Sequence, residues 1–135
     1  MTVLVVGQRL GDDRQRSVGD AVERASTDAV FLPAAQLLRE AIETYDTRCV
    51  LADSPELMVV AFDFRQGGVG APHHHRHVQS TYCESGRFRF HVGDREFEVG
   101  PGDSFVIPSD VIHGCTCLEG GRLVDSFAPR RDDFL

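Results

Sequence analysis

The sequence lacks any apolar run that approaches the roughly 18–20 residues of a membrane-spanning helix. The apolar stretch Val3–Val6 is too short for the hydrophobic region of a signal peptide, and Gly7 and charged residues follow it closely. These absences predict a cytoplasmic protein with no membrane partner.

An excess of basic residues is also missing. The 14 Lys and Arg residues against 21 Asp and Glu residues give a formal net charge of −7 at pH 7. Proteins that bind nucleic acids usually present a basic face, so we expect no nucleic-acid partner. An anionic small molecule is still allowed, because a bound divalent cation dominates the electrostatics of its own site.

Two familiar motifs are absent as well. No CxxC pair occurs, so the four cysteines, Cys49, Cys83, Cys115 and Cys117, are expected to be buried, reduced thiols. The segment Gly7–Gly11 follows an apolar stretch but does not match the GxGxxG pattern of a dinucleotide-binding loop.

The composition fits one folded domain with a polar extension. The 135 residues are 41% hydrophobic and 26% charged, which is an ordinary globular balance for a chain long enough to bury a core. Residues 1–29 are polar with mixed charges and are predicted to form a partly ordered N-terminal arm, with the folded domain over residues 30–135. A helix is predicted over Pro33–Tyr45, because Pro suits a first helical turn and apolar residues recur there at helical spacing.

From Arg48 onward the pattern predicts an all-β fold. Short apolar or alternating runs are separated by turns rich in Gly, Pro, Asp and Ser, which is typical of a sandwich or barrel, and no βαβ alternation occurs. The predicted strands are Cys49–Ala52, Leu57–Phe64, Val78–Cys83, Phe88–Val92, Glu96–Val99, Ser104–Ile107, Val111–Cys117 and Arg122–Phe127.

The segment PHHHRHVQ holds four of the six histidines. On an extended strand, residues two apart face the same side, with Cα atoms roughly 6.5 Å apart. His73 and His75 would then converge on one metal ion, and Gln79 could offer its amide oxygen from the same face. His74 has the opposite parity and is expected to face outward. His77 could support the site, or replace a ligand if the strand carries a bulge.

A metal site normally takes ligands from more than one segment. The second segment runs from Pro101–Asp103 through Pro108 to His113, and a hairpin of this kind can return His113 to the first histidines. The HxHxxxQ pattern over His73–Gln79, followed by Gly86, and the PGD…P…H pattern of the second segment resemble the two motifs of the cupins.

This resemblance implies a single-domain, antiparallel jelly-roll barrel that holds one divalent metal ion. The implied ligands are His73, His75, Gln79 and His113, and their types tolerate Zn, Ni, Mn, Fe or Co. Four neutral ligands leave the full +2 charge at the site, which favours an anionic ligand and Lewis-acid chemistry. Small cupins commonly dimerise, so a homodimer is expected by analogy.

The C-terminal segment Leu123–Leu135 resembles that of the small cupins that ketonise unsaturated uronates during pectin degradation. They share the pattern Asp-x-Phe-x-Pro-x-Arg-(Glu/Asp)-Asp-Phe-Leu, and the similarity covers about residues 48–135. The resemblance implies that Asp125 moves a proton, that Arg131 grips the substrate carboxylate and that Phe127 forms an apolar wall.

The activity that this resemblance implies is metal-dependent ring opening and ketonisation of 4,5-unsaturated monouronates from pectin or alginate. The product is a linear 5-keto-4-deoxyuronate, and no redox cofactor is needed. The alternatives are a polyketide cyclase, a metal-dependent dioxygenase, which Gln79 disfavours where many cupin oxygenases have Glu, and a sugar-binding cupin without turnover. Taken alone, Asp125 could instead be a turn or salt-bridge residue, and Arg131 could be solvated.

Overall fold

The computed structural model describes residues 30–34, 37 and 39–135. The chain divides into two units, Met1–Leu37 and Leu38–Leu135, and the fold described below is that of the second unit. The N-terminal arm predicted over residues 1–29 lies outside the described residues, so this boundary stays a prediction. Within the described part of the chain, no helix combines the length and apolar character needed to cross a membrane.

The second unit consists of two antiparallel sheets and confirms the all-β jelly-roll prediction. The larger sheet has the strand order β1-β2-β3-β10-β5-β8, and the smaller has the order β4-β9-β6-β7. Each predicted strand overlaps an observed one, while β1 and β4 are additional. The strands are β1 Arg39–Ala41, β2 Asp46–Ser54, β3 Leu57–Phe64, β4 Val69–His73, β5 Val78–Cys83, β6 Arg87–Val92, β7 Arg95–Val99, β8 Ser104–Ile107, β9 His113–Glu119 and β10 Gly121–Ala128, and a 3-10 helix follows at Asp132–Phe134.

The helix predicted over Pro33–Tyr45 is wrong for the described residues of its second half. Arg39–Ala41 is strand β1, which pairs with β2, and the backbone N–H of Ile42 donates to the carbonyl of Asp46 at 2.6 Å. Pairing with β2 satisfies backbone groups that helical spacing alone would have assigned to a helix. Three residues of the predicted helix lie outside the described part of the chain.

The core lies between the sheets and is rich in phenylalanine. Phe64 and Phe88 meet edge to face with ring centroids 5.2 Å apart, which joins the two sheets. All four cysteines are free and buried, as predicted. The buried core residues are Met58, Val60, Phe62, Phe64, Cys83, Phe88, Phe90, Val99, Cys115, Cys117, Leu123 and Phe127.

Strand β5 reverses the usual alternation of a half-buried strand. Gln79 and Thr81 are buried, whereas Val78 and Tyr82 on the opposite face are each 44% exposed. Buried polar groups are costly unless they find partners. The reversal therefore indicates that this part of the interior is a polar site and not simply core.

The turn between β5 and β6 requires glycine for two separate reasons. Gly86 has φ +83°, and a Cβ at this position would lie 2.5 Å from the carbonyl oxygen of Glu119. Gly67 has nearly the same φ, +84°, but a Cβ there would meet nothing within 4 Å. A substitution at Gly67 therefore reports the cost of backbone strain alone, whereas a substitution at Gly86 reports strain and steric clash together.

We expect Gly67→Ala to lower the free energy of unfolding by about 1–2 kcal/mol, the cost of a left-handed non-glycine residue. Gly86→Ala should cost clearly more, because strain and clash add. Chemical denaturation of both variants measures the difference. Equal losses would mean that the close approach of Gly86 to Glu119 does not constrain the turn.

Beyond β10, the tail packs back onto the larger sheet. Arg130 forms an ion pair with Asp53 at 3.3 Å, which ties the tail to the end of β2. The ring of Phe134 meets those of Phe62 and Phe127 edge to face, with centroids 6.0 and 5.7 Å away. The tail thus contributes side chains to the interior between the sheets.

Candidate metal and substrate site

A cavity of about 290 Å³ opens between the sheets. Its apolar wall is largely aromatic, and its polar lining comes from both sheets and from the tail. The aromatic lining residues are Tyr45, Phe62, Phe64, Phe90, Phe127 and Phe134, and the polar or charged ones include Arg48, His73, Gln79, His113, Asp125 and Arg131.

Three histidines converge at one end of this cavity. His73 ends β4 and pairs in register with His113, which begins β9. One potential ligand atom from each of His73, His75 and His113 lies within 4.8 Å of the other two. The structure therefore brings together the three histidines that the sequence predicted as ligands.

The route by which His75 reaches the cluster differs from the prediction. Strand β4 ends at His73, so His75 lies in the connection to β5 and not on a common strand face. The backbone N–H of Asp110 donates to the carbonyl of His75 at 2.8 Å, which holds this connection in place. A backbone anchor, rather than strand parity, positions His75.

Each histidine of the cluster is oriented by a backbone carbonyl. Nδ1 of His73 donates to the carbonyl of Ala71 at 2.8 Å, and Nδ1 of His113 donates to that of Val111 at 2.8 Å. Nδ1 of His75 donates to a carbonyl in the same way at 3.1 Å. A carbonyl can only accept, so Nδ1 carries the proton and Nε2 presents a lone pair, as metal-binding histidines require.

The remaining histidines of the run play other parts. His74 is 61% exposed and faces outward, as expected, with Nδ1 3.7 Å from a carboxylate oxygen of Asp110. The carbonyl of His77 accepts the hydrogen bond from His75. The backbone of His77 thus orients His75, and the two imidazole rings also meet edge to face with centroids 5.3 Å apart.

Gln79 completes an arrangement that fits a cation. Its amide nitrogen donates to Asp125 and to Thr81, both at 3.0 Å, so its oxygen faces the other way. That oxygen lies 3.1 Å from Nε2 of His75. With the proton of His75 on Nδ1, two lone pairs face each other with no hydrogen between them.

A divalent cation would resolve this contact. Imidazole nitrogen and amide oxygen are both ligand types for divalent cations, and such an ion would place a positive charge between the two lone pairs. Nε2 of His113 is also buried without a hydrogen-bond partner among the described residues. The donor set of His73, His75, His113 and Gln79 therefore fits a metal ion.

Burial favours the neutral forms of His75 and His113, which metal binding also needs. Burial lowers the pKa of His113 to about 4, and the positive charges of neighbouring groups act in the same direction. The pKa of His75 is lowered by burial and then by the charge of Arg131. Near neutral pH, both rings have a lone pair available.

Asp125 lies beside this cluster on β10. It is 6% exposed, and its Oδ1 atom has no hydrogen-bond partner in the described part of the chain. Burial raises the pKa of Asp125 to about 7, against the effects of Thr81 and the charge of Arg131. A carboxyl group with such a pKa can both accept and release a proton near neutral pH.

Phe127 and Arg131 lie next to Asp125 and the histidines. The ring of Phe127 is 5.7 Å from that of His75, and the guanidinium of Arg131 lies 5.1 Å from the Phe127 ring centroid. Arg131 is only 9% exposed, so it is not a solvated residue. Two of its nitrogens, Nε and Nη2, donate to the carboxylate of Asp133 at 2.9 and 2.7 Å.

The cavity lining includes residues outside the set predicted from the sequence, and two of them are in contact with each other. Arg48 and Phe134 both line the cavity, and the Arg48 guanidinium lies 4.2 Å from the centroid of the Phe134 ring. The only local signal for Arg48 is its shared parity with Val50, which packs against the core. This parity indicates that Arg48 faces the interior only once the pairing of β2 is known.

Comparison with known proteins agrees with this geometry. The profile of the cupin domain family matches residues 60–124. The pectin degradation protein KdgF of Dickeya dadantii (strain 3937) is 34% identical over 90 residues, which cover 65% of this chain and 82% of that protein.

Two solved structures are similar over most of their length. A RmlC-like cupin from Shewanella frigidimarina NCIMB 400 has a TM-score of 0.76 and 37% identity, covering 80% of this chain and 97% of that one. KdgF from Halomonas sp. has a TM-score of 0.75 and 34% identity, covering 80% and 100%. With these sequence matches, fold and histidine cluster, the chain belongs to the cupin family and is a relative of the KdgF pectin degradation proteins.

Proposed function

We propose that this protein catalyses metal-dependent ring opening and ketonisation of 4,5-unsaturated monouronates from pectin or alginate. The product is the linear 5-keto-4-deoxyuronate. The observation that carries the proposal is the buried Asp125 carboxyl group, held beside a three-histidine cluster in a cavity that also contains Arg131. The similarity to KdgF, a pectin degradation protein, supports the choice of substrate.

One divalent metal ion, Zn, Ni, Mn, Fe or Co, would be held by His73, His75, His113 and Gln79. When bound, it supplies Lewis-acid stabilisation of negative charge that develops on a substrate oxygen. Each ligand is neutral, so no protein charge offsets the ion within its own coordination shell. This allows a protein of net charge −7 to bind an anionic sugar.

Asp125 carries the proton in this mechanism. It accepts the proton of the hemiacetal hydroxyl group as the bond between the anomeric carbon and the ring oxygen breaks, leaving an aldehyde and an enolate. Asp125 then returns this proton to C4 as the enolate becomes the ketone. The substrate and product are isomers, so no oxidant, reductant or further reactant is consumed.

Arg131 and Phe127 hold the sugar for this proton transfer. Two nitrogens of Arg131 are engaged by Asp133, and Nη1 has no bonded partner among the residues that the structure describes, so it is free to donate to the substrate carboxylate. Phe127 is buried and presents an apolar wall beside His75. Charge-assisted hydrogen bonding to a carboxylate favours arginine in this role.

A time course with purified protein tests the proposal. Unsaturated galacturonate and mannuronate should each lose their double-bond absorbance in the presence of the protein, and a chelator should abolish the reaction. Adding back a divalent metal should restore it. Absence of turnover of both uronates by the metal-loaded protein would refute the proposal, and oxygen consumption would indicate a dioxygenase instead.

The homodimer expected from the sequence is part of the same proposal. Sedimentation equilibrium of the metal-loaded protein measures the oligomeric state directly.

A further inference from the structure

The cavity contains a buried hydrogen-bond donor with no partner. Nε of Arg48 is buried and unbonded among the described residues, as are Nε2 of His113, Oδ1 of Asp125 and Nδ1 of His77. Of these four residues, His77 does not line the cavity. A buried donor left without an acceptor is destabilising. His113 and Asp125 already have roles in the proposed reaction, whereas Arg48 has none.

The position of Arg48 in the sheet places it away from the histidine cluster. In the larger sheet, β2 is separated from β5, which carries Gln79, by β3 and β10. Arg48 pairs in register with Phe62, and Phe62 pairs with Leu123 on β10, two residues from Asp125. The inner face of the sheet thus runs from Gln79 through Asp125 to Arg48.

Arg48 and Arg131 both pack against Phe134. Both guanidinium carbons lie over the Phe134 ring, each 4.2 Å from its centroid. Two guanidinium groups cannot occupy the same place, so they contact the ring at different positions. The carboxylate-binding role proposed for Arg131 thus leaves Arg48 for another part of a bound ligand.

Contacts with its neighbours position the Arg48 guanidinium but leave one of its donors without a partner. Its Nη2 donates to a carboxylate oxygen of Glu40 at 2.8 Å, and Glu40 is exposed to solvent. The guanidinium also packs against Phe134 and interacts with the Tyr45 hydroxyl group. These contacts position the group, while Nε has no hydrogen-bond partner among the described residues.

We propose that Arg48 is a substrate-binding residue that donates a hydrogen bond to a ring hydroxyl of the sugar, at the edge away from the metal ligands. This rests on the proposed function, in which Arg131 holds the carboxylate. Arg131 then recognises the acid, and Arg48 recognises the hydroxyl edge. The site would thereby select hydroxylated uronates over less polar acids that fit the same cavity.

The test compares Arg48→Met with Arg131→Met on two substrates, the unsaturated uronate and its neutral methyl ester. Arg48→Met should raise KM roughly 10- to 100-fold for both, because a hydrogen bond from a charged group is lost whether or not the acid is esterified. Its effect on kcat should be much smaller, as for an interaction made equally before and during the reaction. Arg131→Met should raise KM for the acid but not for the ester.

Two controls separate substrate binding from a structural role. Glu40→Gln removes the ion pair of Arg48 but leaves its guanidinium in place, so KM should stay near that of the wild type. Arg89→Met removes an exposed arginine from the other sheet, where it pairs with Glu98, and should change neither constant. Calorimetric binding of saturated galacturonate to the metal-loaded variants gives a readout independent of turnover.

Several results would overturn the inference. An unchanged KM in Arg48→Met would mean that Arg48 does not bind the substrate. An equal rise in KM in Glu40→Gln and Arg48→Met would mean that Arg48 has a structural role. If Arg48→Met raised KM for the acid but not for the ester, Arg48 would bind the substrate carboxylate instead of a hydroxyl group. If the wild-type protein neither converts the unsaturated uronates nor binds galacturonate, the proposed function fails and this inference fails with it.

Discussion

Asp125→Asn should lower turnover of the unsaturated uronate by about 10²- to 10⁴-fold, the range expected for losing a positioned acid or base. The substitution keeps the shape of the side chain and an oxygen that can accept from the amide of Gln79, which now donates at 3.0 Å. It removes the titrating proton. Steady-state kinetics on the metal-loaded variant measures the loss.

Metal content separates this effect from damage to the site. Asp125 is not among the proposed ligands, so Asp125→Asn should bind as much metal as the wild type when measured by elemental analysis. Asp94→Asn, at an exposed turn between β6 and β7, serves as a matched control and should retain full activity. Unchanged turnover in Asp125→Asn would remove Asp125 from the mechanism.

His75→Ala should lower metal affinity by more than about 100-fold, because losing a ligand costs at least as much as losing a group that orients one. Activity should fall in parallel. Nε2 of His75 faces the oxygen of Gln79 at 3.1 Å, and no other described side chain is placed to substitute for it. Metal titration followed by calorimetry measures the affinity of each variant.

The histidine run supplies its own controls. His74→Ala removes an exposed ring that points away from the cluster and should leave metal affinity unchanged. His77→Ala preserves the backbone carbonyl that orients His75, so its effect should be far smaller than that of His75→Ala. Retention of wild-type affinity in His75→Ala, or loss of metal in His74→Ala, would contradict the assignment of ligands.

Strand β5 shows how much of the site can be predicted from the sequence. Its alternation predicts a strand, and the same alternation places Gln79 and Thr81 together on one face. What the alternation does not reveal is that this face is the buried one, since Val78 and Tyr82 are the residues expected to seek the interior. The cavity between the sheets reverses the preference, because its polar groups provide hydrogen-bond partners for Gln79.

The prediction over Pro33–Tyr45 failed for a related reason. Apolar residues at helical spacing also fit a short edge strand followed by a turn, and local spacing does not distinguish the two. Availability of β2 as a pairing partner decided in favour of β1 over the described residues. Such a partner is a property of the assembled sheet.

By itself, the sequence determined the all-β architecture, most strand positions, and the identities of the histidines and of Asp125, Phe127 and Arg131 as candidate site residues. The architecture and the strand positions follow from alternation and turn residues, and the candidate site residues follow from the resemblance of two motifs and the C-terminal segment to those of cupins. All of these features are local in the chain. Only the tertiary structure decided that Gln79 meets Asp125, 46 residues away, and that Arg48 enters the same cavity. Contacts of this kind depend on which strands become neighbours, and that is decided by burying the whole core at once.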